Sequence, residues 1–150
     1  MVRKGLFTVL LYILKTWTME NMIQHATQIL ILIFLAITFL QSGLDKMLDW
    51  KGNLGFIKGH FSKTIFKDYV PVLLGVAMIL EMLSGILGGV GAIQLIIDGK
   101  SSIGFLGAVI SAITLMFLFL GQRIAKDYPG AQTLVVYLIP TVFLVFLMQR

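Results

Sequence analysis

Four apolar stretches dominate this 150-residue chain, and each approaches or exceeds the length that crosses a lipid bilayer. They cover residues 26–44, 71–97, 103–121 and 133–148. About 20 apolar residues in a helix span a hydrocarbon core that is about 30 Å thick. A helix also satisfies its own backbone hydrogen bonds, which lipid cannot do. The sequence therefore predicts an all-α integral membrane protein built as a four-helix transmembrane bundle.

The composition excludes several classes of protein and site. Charged residues make up 13% of the chain and the mean hydropathy is +0.95, which is far from the values of a soluble domain. The chain has no cysteine, which excludes disulfides, thiol chemistry and cysteine-ligated iron–sulfur clusters. Its two histidines lie on different predicted segments, so we predict no metal site and no intrinsic cofactor. The net charge of +5 predicts contact with lipid phosphates rather than nucleic acid, since no basic run is interleaved with aromatic residues.

The first 25 residues form a separate predicted segment, and residues 26–150 form the membrane domain. Residues 5–14 are apolar but too few to cross the membrane, and Arg3, Lys4 and Lys15 bracket them. This pattern predicts an N-terminal interfacial amphipathic helix. A signal peptide is the weaker alternative, because no small-residue cleavage site follows.

The connection between the first two apolar stretches is long and carries a helical pattern. Apolar residues recur there every three or four positions, with lysines between them. They are Leu54, Ile57, Phe61, Ile65 and Tyr69. The pattern predicts an amphipathic helix on the membrane surface, and a solvated lysine-rich loop is the alternative. Seven basic residues fall on this side of the bundle and five on the other, so the membrane orientation stays open.

Glu81 lies near the middle of the second stretch and is expected near the bilayer midplane. A charged side chain at that depth costs about 2.5–3.5 kcal/mol on insertion scales, so it normally faces the bundle interior or a polar cavity. Two interpretations stay open. Glu81 belongs to a functional site, or it is a protonated side chain that only hydrogen-bonds a neighbouring helix.

Small residues repeat along the second and third stretches at helical spacing. Ser84, Gly85 and Gly88 fall near one face of the second helix. Gly104 and Ala108 repeat at a spacing of four in the third. Such stripes let helix backbones approach closely, and packing drives helix association in lipid. We therefore predict that these five residues are helix-packing positions.

Polar residues gather where the first and third stretches end. Gln41 lies in the last turn of the first stretch, and Asp45 and Lys46 come directly after it. Gln122 and Arg123 close the third, which an alternating path brings to the same side of the membrane. We predict that these residues and the carboxyl group of the second stretch form a ligand-binding or buried polar cluster. Ordinary surface ion pairing is the alternative, and no residue is predicted to be catalytic.

Depth determines which partner Glu81 is expected to find. Glu81 lies ten residues past Pro71, or about 15 Å along the helix. Lys46 lies closer to the interface and would have to extend inward to reach it. Gln41 is therefore the easier predicted partner.

Two runs of sequence carry a family resemblance. FLQSGLDKMLDW closes the first stretch, and LLGVAMILEMLSGILGG in the second carries the glutamate and the glycines that follow it. Both resemble the DoxX family of small four-span membrane proteins, with Gly43, Lys46, Glu81 and Gly85 at the positions of the family pattern. The segment GQRIAKDYPGAQTLVVYLI is similar to forms found in Bacteroidetes bacteria. The resemblance covers residues 29–137.

The resemblance implies a place in a membrane complex more than an activity of its own. DoxX-like proteins take their name from a small subunit of a thiosulfate:quinone oxidoreductase, and they distantly resemble the quinone-handling fold of vitamin K epoxide reductase. This chain lacks the Cys-x-x-Cys pair of that enzyme. The family implies a multi-pass protein of the bacterial inner membrane, a non-catalytic accessory subunit that binds larger subunits, with a quinone as candidate ligand. The polar segment 122–127 departs from many members, so no role is carried over to the third and fourth spans.

Two other functions stay open at this point. One is a stand-alone proton-linked carrier or lipid-handling protein, for which a carboxyl group near the bilayer midplane would be central. The other is an assembly factor for a membrane complex, whose only chemistry is helix packing. For a quinone, the candidate hydrogen-bond donors are Lys46, Gln41, Arg123 and protonated Glu81. The candidate apolar walls are Phe39, Phe117 and Trp50.

Overall fold

The computed structural model describes the backbone of residues 2–149 and the side chains of residues 13–149. Over this range the chain forms six helices: α1 (Val2–Gln24), α2 (Ala26–Leu48), α3 (Trp50–Phe61), α4 (Val70–Asp98), α5 (Ser102–Ile124) and α6 (Tyr128–Met148). Four of them, α2, α4, α5 and α6, are long and apolar enough to cross a membrane. The predicted all-α four-helix bundle is therefore confirmed, and the protein is an integral membrane protein.

The helices extend further than the apolar stretches that predict them. α2 continues to Leu48 rather than residue 44, and α6 begins at Tyr128 rather than residue 133. Asp127 explains the early start of α6, because its carboxylate accepts a hydrogen bond from the Gly130 backbone N–H at 3.0 Å. Hydropathy marks the residues that lie in the apolar layer of the membrane. Capping hydrogen bonds and turns, in contrast, determine the residue at which a helix ends.

α4 is the central helix of the bundle. It packs against α2 and α5, and α6 packs mainly against α5. α4 begins with Pro71 in its first turn, where the missing backbone donor costs little. It ends at Gly99, whose φ of 69° is the left-handed conformation that glycine adopts without strain.

Small residues let α4 approach its neighbours closely. The backbones of α4 and α5 come into direct contact at Gly91 and Gly104. A Cβ atom added to Gly85 would lie 2.6 Å from Leu40 Cγ and 2.9 Å from Leu40 N on α2. Because lipid offers no hydrophobic drive for helix association, these close contacts hold the bundle together.

The bundle core is formed by large apolar side chains from all four spanning helices. Those with less than 2% exposure are Leu32, Leu35, Leu95, Leu115 and Leu144. In the core these side chains make more dispersion contacts than they would make with lipid tails, because a protein interior is packed more densely. Many other apolar side chains of the spanning helices are exposed and face outward, as lipid-facing side chains do, among them Leu30, Ile79 and Val136.

α1 is longer than the predicted interfacial helix. His25 alone separates α1 from α2, and the Asn21 side-chain amide donates to the Ile96 carbonyl at 3.4 Å. α1 therefore contacts the C-terminal end of α4. The side chains of residues 1–12 and the whole of Arg150 lie outside the described residues, so the amphipathic interfacial position of this helix stays a prediction.

α3 lies at the side of the bundle where α2 and α5 end. The structure forms the predicted amphipathic helix only as far as Phe61, and residues 62–69 form turns. Ser62 Oγ donates to the Gly59 carbonyl at 2.8 Å. Such a side-chain bond competes with the helical backbone pattern and favours a turn, which the apolar spacing alone did not reveal.

The close contact at Gly91 predicts a clear difference between two neighbouring glycines. Gly91→Ala places a methyl group against the α5 backbone, which cannot rotate away, and should lower the free energy of unfolding by about 1–3 kcal/mol. Gly89→Ala is the matched control, because its Cβ would meet only Ala36 Cβ at 3.9 Å. Equilibrium unfolding in mild detergent measures both. Equal stability of the two variants would contradict the close α4–α5 contact.

Candidate functional site

A buried ion pair joins α2 to α4. Lys46 Nζ lies 3.0 Å from Glu81 Oε1 and 2.9 Å from Glu81 Oε2. Ser42 Oγ donates to Glu81 Oε1 at 3.1 Å. The Glu81 side chain is 2% exposed and that of Lys46 is 15% exposed, so both charges lie largely away from solvent. The three side chains form one hydrogen-bonded cluster inside the bundle.

Lys46, and not the predicted Gln41, is the partner of Glu81. Side chains in an α-helix lean toward the helix N-terminus, and α2 runs from the opposite side of the bundle toward α3. This lean carries Lys46 inward by one turn, where Nζ donates to the Ser42 carbonyl at 3.2 Å. Gln41 is exposed on the outer face of α2. The depth of a Cα atom alone did not predict this pairing, because the lysine side chain is long and leans toward the N-terminus of α2.

The two oxygens of Glu81 differ in their surroundings. Oε1 accepts hydrogen bonds from both Lys46 and Ser42. Oε2 is fully buried, and the Lys46 ammonium group lies 2.9 Å from it as its ionic partner. Both carboxylate oxygens therefore lie against the same ammonium group, and Oε1 has the Ser42 hydroxyl group as a second donor.

A cavity of about 380 Å³ extends from the ion pair toward α3. Its inner end is formed by Ser42, Lys46 and Glu81. Its walls are mainly apolar and come from α3, the following turns, α4, α5 and α6. They include Phe56, Ile57, Phe61, Phe66, Leu73, Leu74, Ala77, Phe117, Leu118 and Leu134. The arrangement is an aromatic-rich pocket with a charged pair at one end.

A second polar group lies elsewhere along the wall of this cavity. His60 Nε2 lies 2.9 Å from Gln122 Oε1 and 3.5 Å from Asp127 Oδ2. The His60 ring also stacks on Phe56, with centroids 6.1 Å apart. Sequence reasoning considered His60 only as a metal ligand and missed this role. The sequence held one indication of it: His60 follows Phe56 by four residues, which places both side chains on one face of a helix.

The predicted polar cluster is only partly brought together. Lys46, Glu81 and Gln122 line the cavity, whereas Asp45 is exposed on α2. Arg123 is exposed on α5 and lies over the Tyr128 ring at 5.0 Å in a cation–π contact. The helix rotation that directs Gln122 inward turns its neighbour outward, because adjacent residues of a helix point about 100° apart.

The predicted packing residues lie at helix contacts. Ser84 Oγ and Thr114 Oγ1 are 3.0 Å apart, and both residues are fully buried between α4 and α5. A Cβ at Gly88 would lie 3.3 Å from the Leu32 carbonyl oxygen of α2. Ala108 is fully buried on α5.

The candidate apolar walls are divided between the cavity and other sites. Phe117 lines the cavity. Phe39 is buried in the bundle core, and Trp50 approaches α4 beside Gly75. Among the described residues, no group of three or more His, Asp or Glu side chains is placed to hold a metal ion.

Comparison with known proteins adds no assignment to this geometry. Models of known protein families, curated proteins and solved structures gave no match to this chain. The DoxX resemblance therefore rests on the sequence motifs, and its functional implications stay predictions.

Removing one charge of the buried pair should destabilise the fold. Lys46→Met leaves the Glu81 carboxylate without its countercharge, and breaking a buried pair costs about 3–5 kcal/mol. Adding Glu81→Gln should restore part of this loss, because the double variant buries no unpaired charge. Unfolding in mild detergent measures the single and double variants.

Lys58→Met is the matched control for the loss of a lysine. Lys58 is exposed on α3, so its replacement should change the free energy of unfolding by no more than about 0.5 kcal/mol. If the losses from Lys46→Met and Glu81→Gln simply add in the double variant, the two side chains are not coupled.

Proposed function

We propose that this protein binds the ring of a quinone-type amphiphile and serves as a non-catalytic accessory subunit of a bacterial inner-membrane complex. The observation that carries the proposal is the apolar cavity with the Lys46–Glu81 pair at its inner end. Electron transfer is assigned to partner subunits, and the DoxX resemblance supports that division of roles.

A buried ion pair beside a cavity favours binding over a purely structural role. Desolvation of two charges offsets most of their attraction, so an apolar pair of similar volume would stabilise the bundle equally well or better. A bundle whose only task is packing also gains nothing from an internal cavity, because each unfilled volume forfeits dispersion contacts. The charged pair and the cavity therefore support a ligand site when they occur together.

The shape and chemistry of the cavity fit a substituted aromatic or quinonoid ring. Its volume of about 380 Å³ lies at the small end of the range for ligand pockets, which is about 300–1,000 Å³. Phe56, Phe61, Phe66 and Phe117 offer aromatic surfaces to a flat ring. The two polar groups of the cavity, around Glu81 and His60, match a ring that carries oxygen atoms at more than one edge.

A stand-alone proton-linked carrier is the second candidate. The buried hydroxyl group of Ser111, which has no hydrogen-bond partner, lies on α5 beyond the Ser84–Thr114 contact. It extends the series of polar groups from Glu81 toward the opposite side of the bundle. The accessory role is preferred because Lys46 and Ser42 hold the carboxylate in place, whereas a carrier has to release it during each cycle.

Filling the cavity should abolish ligand binding without disturbing the ion pair. Gly121 lines the cavity, and a side chain there would extend toward Phe61, whose Cζ lies 3.5 Å from the added Cβ position. Gly121→Leu should therefore remove binding of a short-chain quinone, measured by equilibrium dialysis in detergent. Gly55→Leu is the matched control, since Gly55 is on α3 with open space around it. Undiminished binding by Gly121→Leu would place the ligand elsewhere.

Native isolation tests the accessory role. The tagged full chain, extracted in mild detergent, should copurify at fixed stoichiometry with larger membrane subunits that carry redox centres. Mass spectrometry identifies the partners, and solvent extraction with absorbance spectra identifies a bound quinone. A homogeneous preparation without partner or quinone would overturn the accessory proposal and favour the carrier.

A further inference from the structure

The inner part of the cavity is buried. Its lining residues Leu74, Ala77 and Glu81 are at most 5% exposed. All three lie on α4, which is fixed by its packing against α2 and α5 and by the direct backbone contact with α5. A ring that binds in this part of the cavity therefore needs a different wall to move.

α3 is the helix of the cavity wall that packs most weakly against the rest of the chain. It has no buried residue, whereas α2, α4, α5 and α6 each have several. Among the described residues, no atom lies within 4 Å of a Cβ added at Gly55 or Gly59, so this face of α3 is uncovered. A segment with few buried contacts opens at low cost while the rest of the fold stays intact.

Both ends of α3 are connections that can act as hinges. At its start Asp49 leaves the helical conformation, with φ −124° and ψ 60°, so α2 and α3 are separate helices. The Asp49 carboxylate accepts the Gly52 backbone N–H at 3.0 Å and caps α3. At the other end residues 62–69 form turns. α3 can therefore move as one helix while the changes in backbone dihedral angles stay in the connections.

A polar contact holds the last turn of α3 against the end of α5. His60 Nε2 lies 2.9 Å from Gln122 Oε1 and 3.5 Å from Asp127 Oδ2. Both neighbouring atoms are acceptors, an amide oxygen and a carboxylate oxygen, so Nε2 carries a proton and donates it to Gln122. Beside this bond, Phe61 Cζ lies 3.5 Å from the position of a Cβ added at Gly121. On the side of α3 the hydrogen bond depends on one side chain, His60.

From this packing, we infer that α3 is a lid, which moves about its two connections to admit a ligand to the cavity and is held closed by the hydrogen bond from His60 to Gln122. The inference rests on the proposed function, because the ligand is the same quinone-type ring. Phe56, Ile57 and Phe61 line the cavity from α3 and cover the ring when the lid closes. His60 is thus a positioning residue, which sets how often the cavity is open.

The chain has no cysteine, so a single introduced thiol reports access to the cavity. Ala77→Cys places a thiol on the cavity wall, and Ala92→Cys places one on the same helix in the bundle core. The rate of reaction with N-ethylmaleimide is measured on the full-length protein in mild detergent. His60→Phe keeps an aromatic ring in the wall but donates no hydrogen bond. It should raise the rate at position 77 by about three- to tenfold, as one lost hydrogen bond shifts an opening equilibrium, and leave position 92 unchanged.

His60→Gln is the matched rescue variant. The Gln side chain carries an amide N–H that reaches about as far from the backbone as Nε2 of histidine does. The labelling rate at position 77 should therefore stay near that of Ala77→Cys alone. A rate as high as in His60→Phe would overturn the role of the hydrogen bond. An unchanged rate in His60→Phe, or equal increases at positions 77 and 92, would overturn the lid.

Hydrogen–deuterium exchange of the unaltered chain tests the lid without any substitution. The backbone amides of residues 50–61 should exchange faster than those of residues 70–98, and exchange as slow as that of α4 would overturn the lid. A short-chain quinone should slow both the exchange of α3 and the labelling at position 77. If α3 opens but the quinone slows neither rate and does not bind in equilibrium dialysis, the proposed function fails and the lid remains. If the quinone binds and both rates stay unchanged, the proposed function remains and the lid is overturned.

Discussion

The buried ion pair between Lys46 and Glu81 is the interaction on which the rest of the site depends. Two charges placed inside a bundle are tolerated only when each is paired and hydrogen-bonded, and here Ser42 completes the set. The partners come from α2 and α4, so these helices have to keep one register. Gly43 permits that register, because a Cβ there would lie 2.7 Å from the Met82 sulfur of α4.

The cavity follows from an uneven distribution of small residues along α4 and α5. Near one side of the membrane, Gly91 and Gly104 bring the two backbones together and leave no space between them. Toward the other side the same helices carry larger residues, among them Leu73 and Phe117, and a cavity remains between these helices and α3. The bundle is thus closely packed at one end and has a cavity with aromatic walls at the other.

Individual residues show which features of the site could be predicted from the sequence. The burial of Glu81 was predictable, because an apolar helix of that length leaves a carboxyl group no other place. The inward position of Lys46 was not, since it depends on the lean of a side chain toward the N-terminus of its helix. His60 was missed because its partners Gln122 and Asp127 lie more than sixty residues away in the chain. Arg123 failed to join the cluster because helix rotation, and not proximity in sequence, sets its direction.

The sequence by itself determined the class of protein, the number of spanning helices, the burial of one carboxyl group and the residues that allow close helix packing. These features follow from transfer free energy and helical spacing, which act locally along the chain. Only the tertiary structure decided that Lys46 pairs with Glu81, that Ser42 joins the pair, and that α3 brings His60 to the cavity. Those features depend on the rotation and register of helices that are distant in sequence, where an error of one residue turns a side chain to another face.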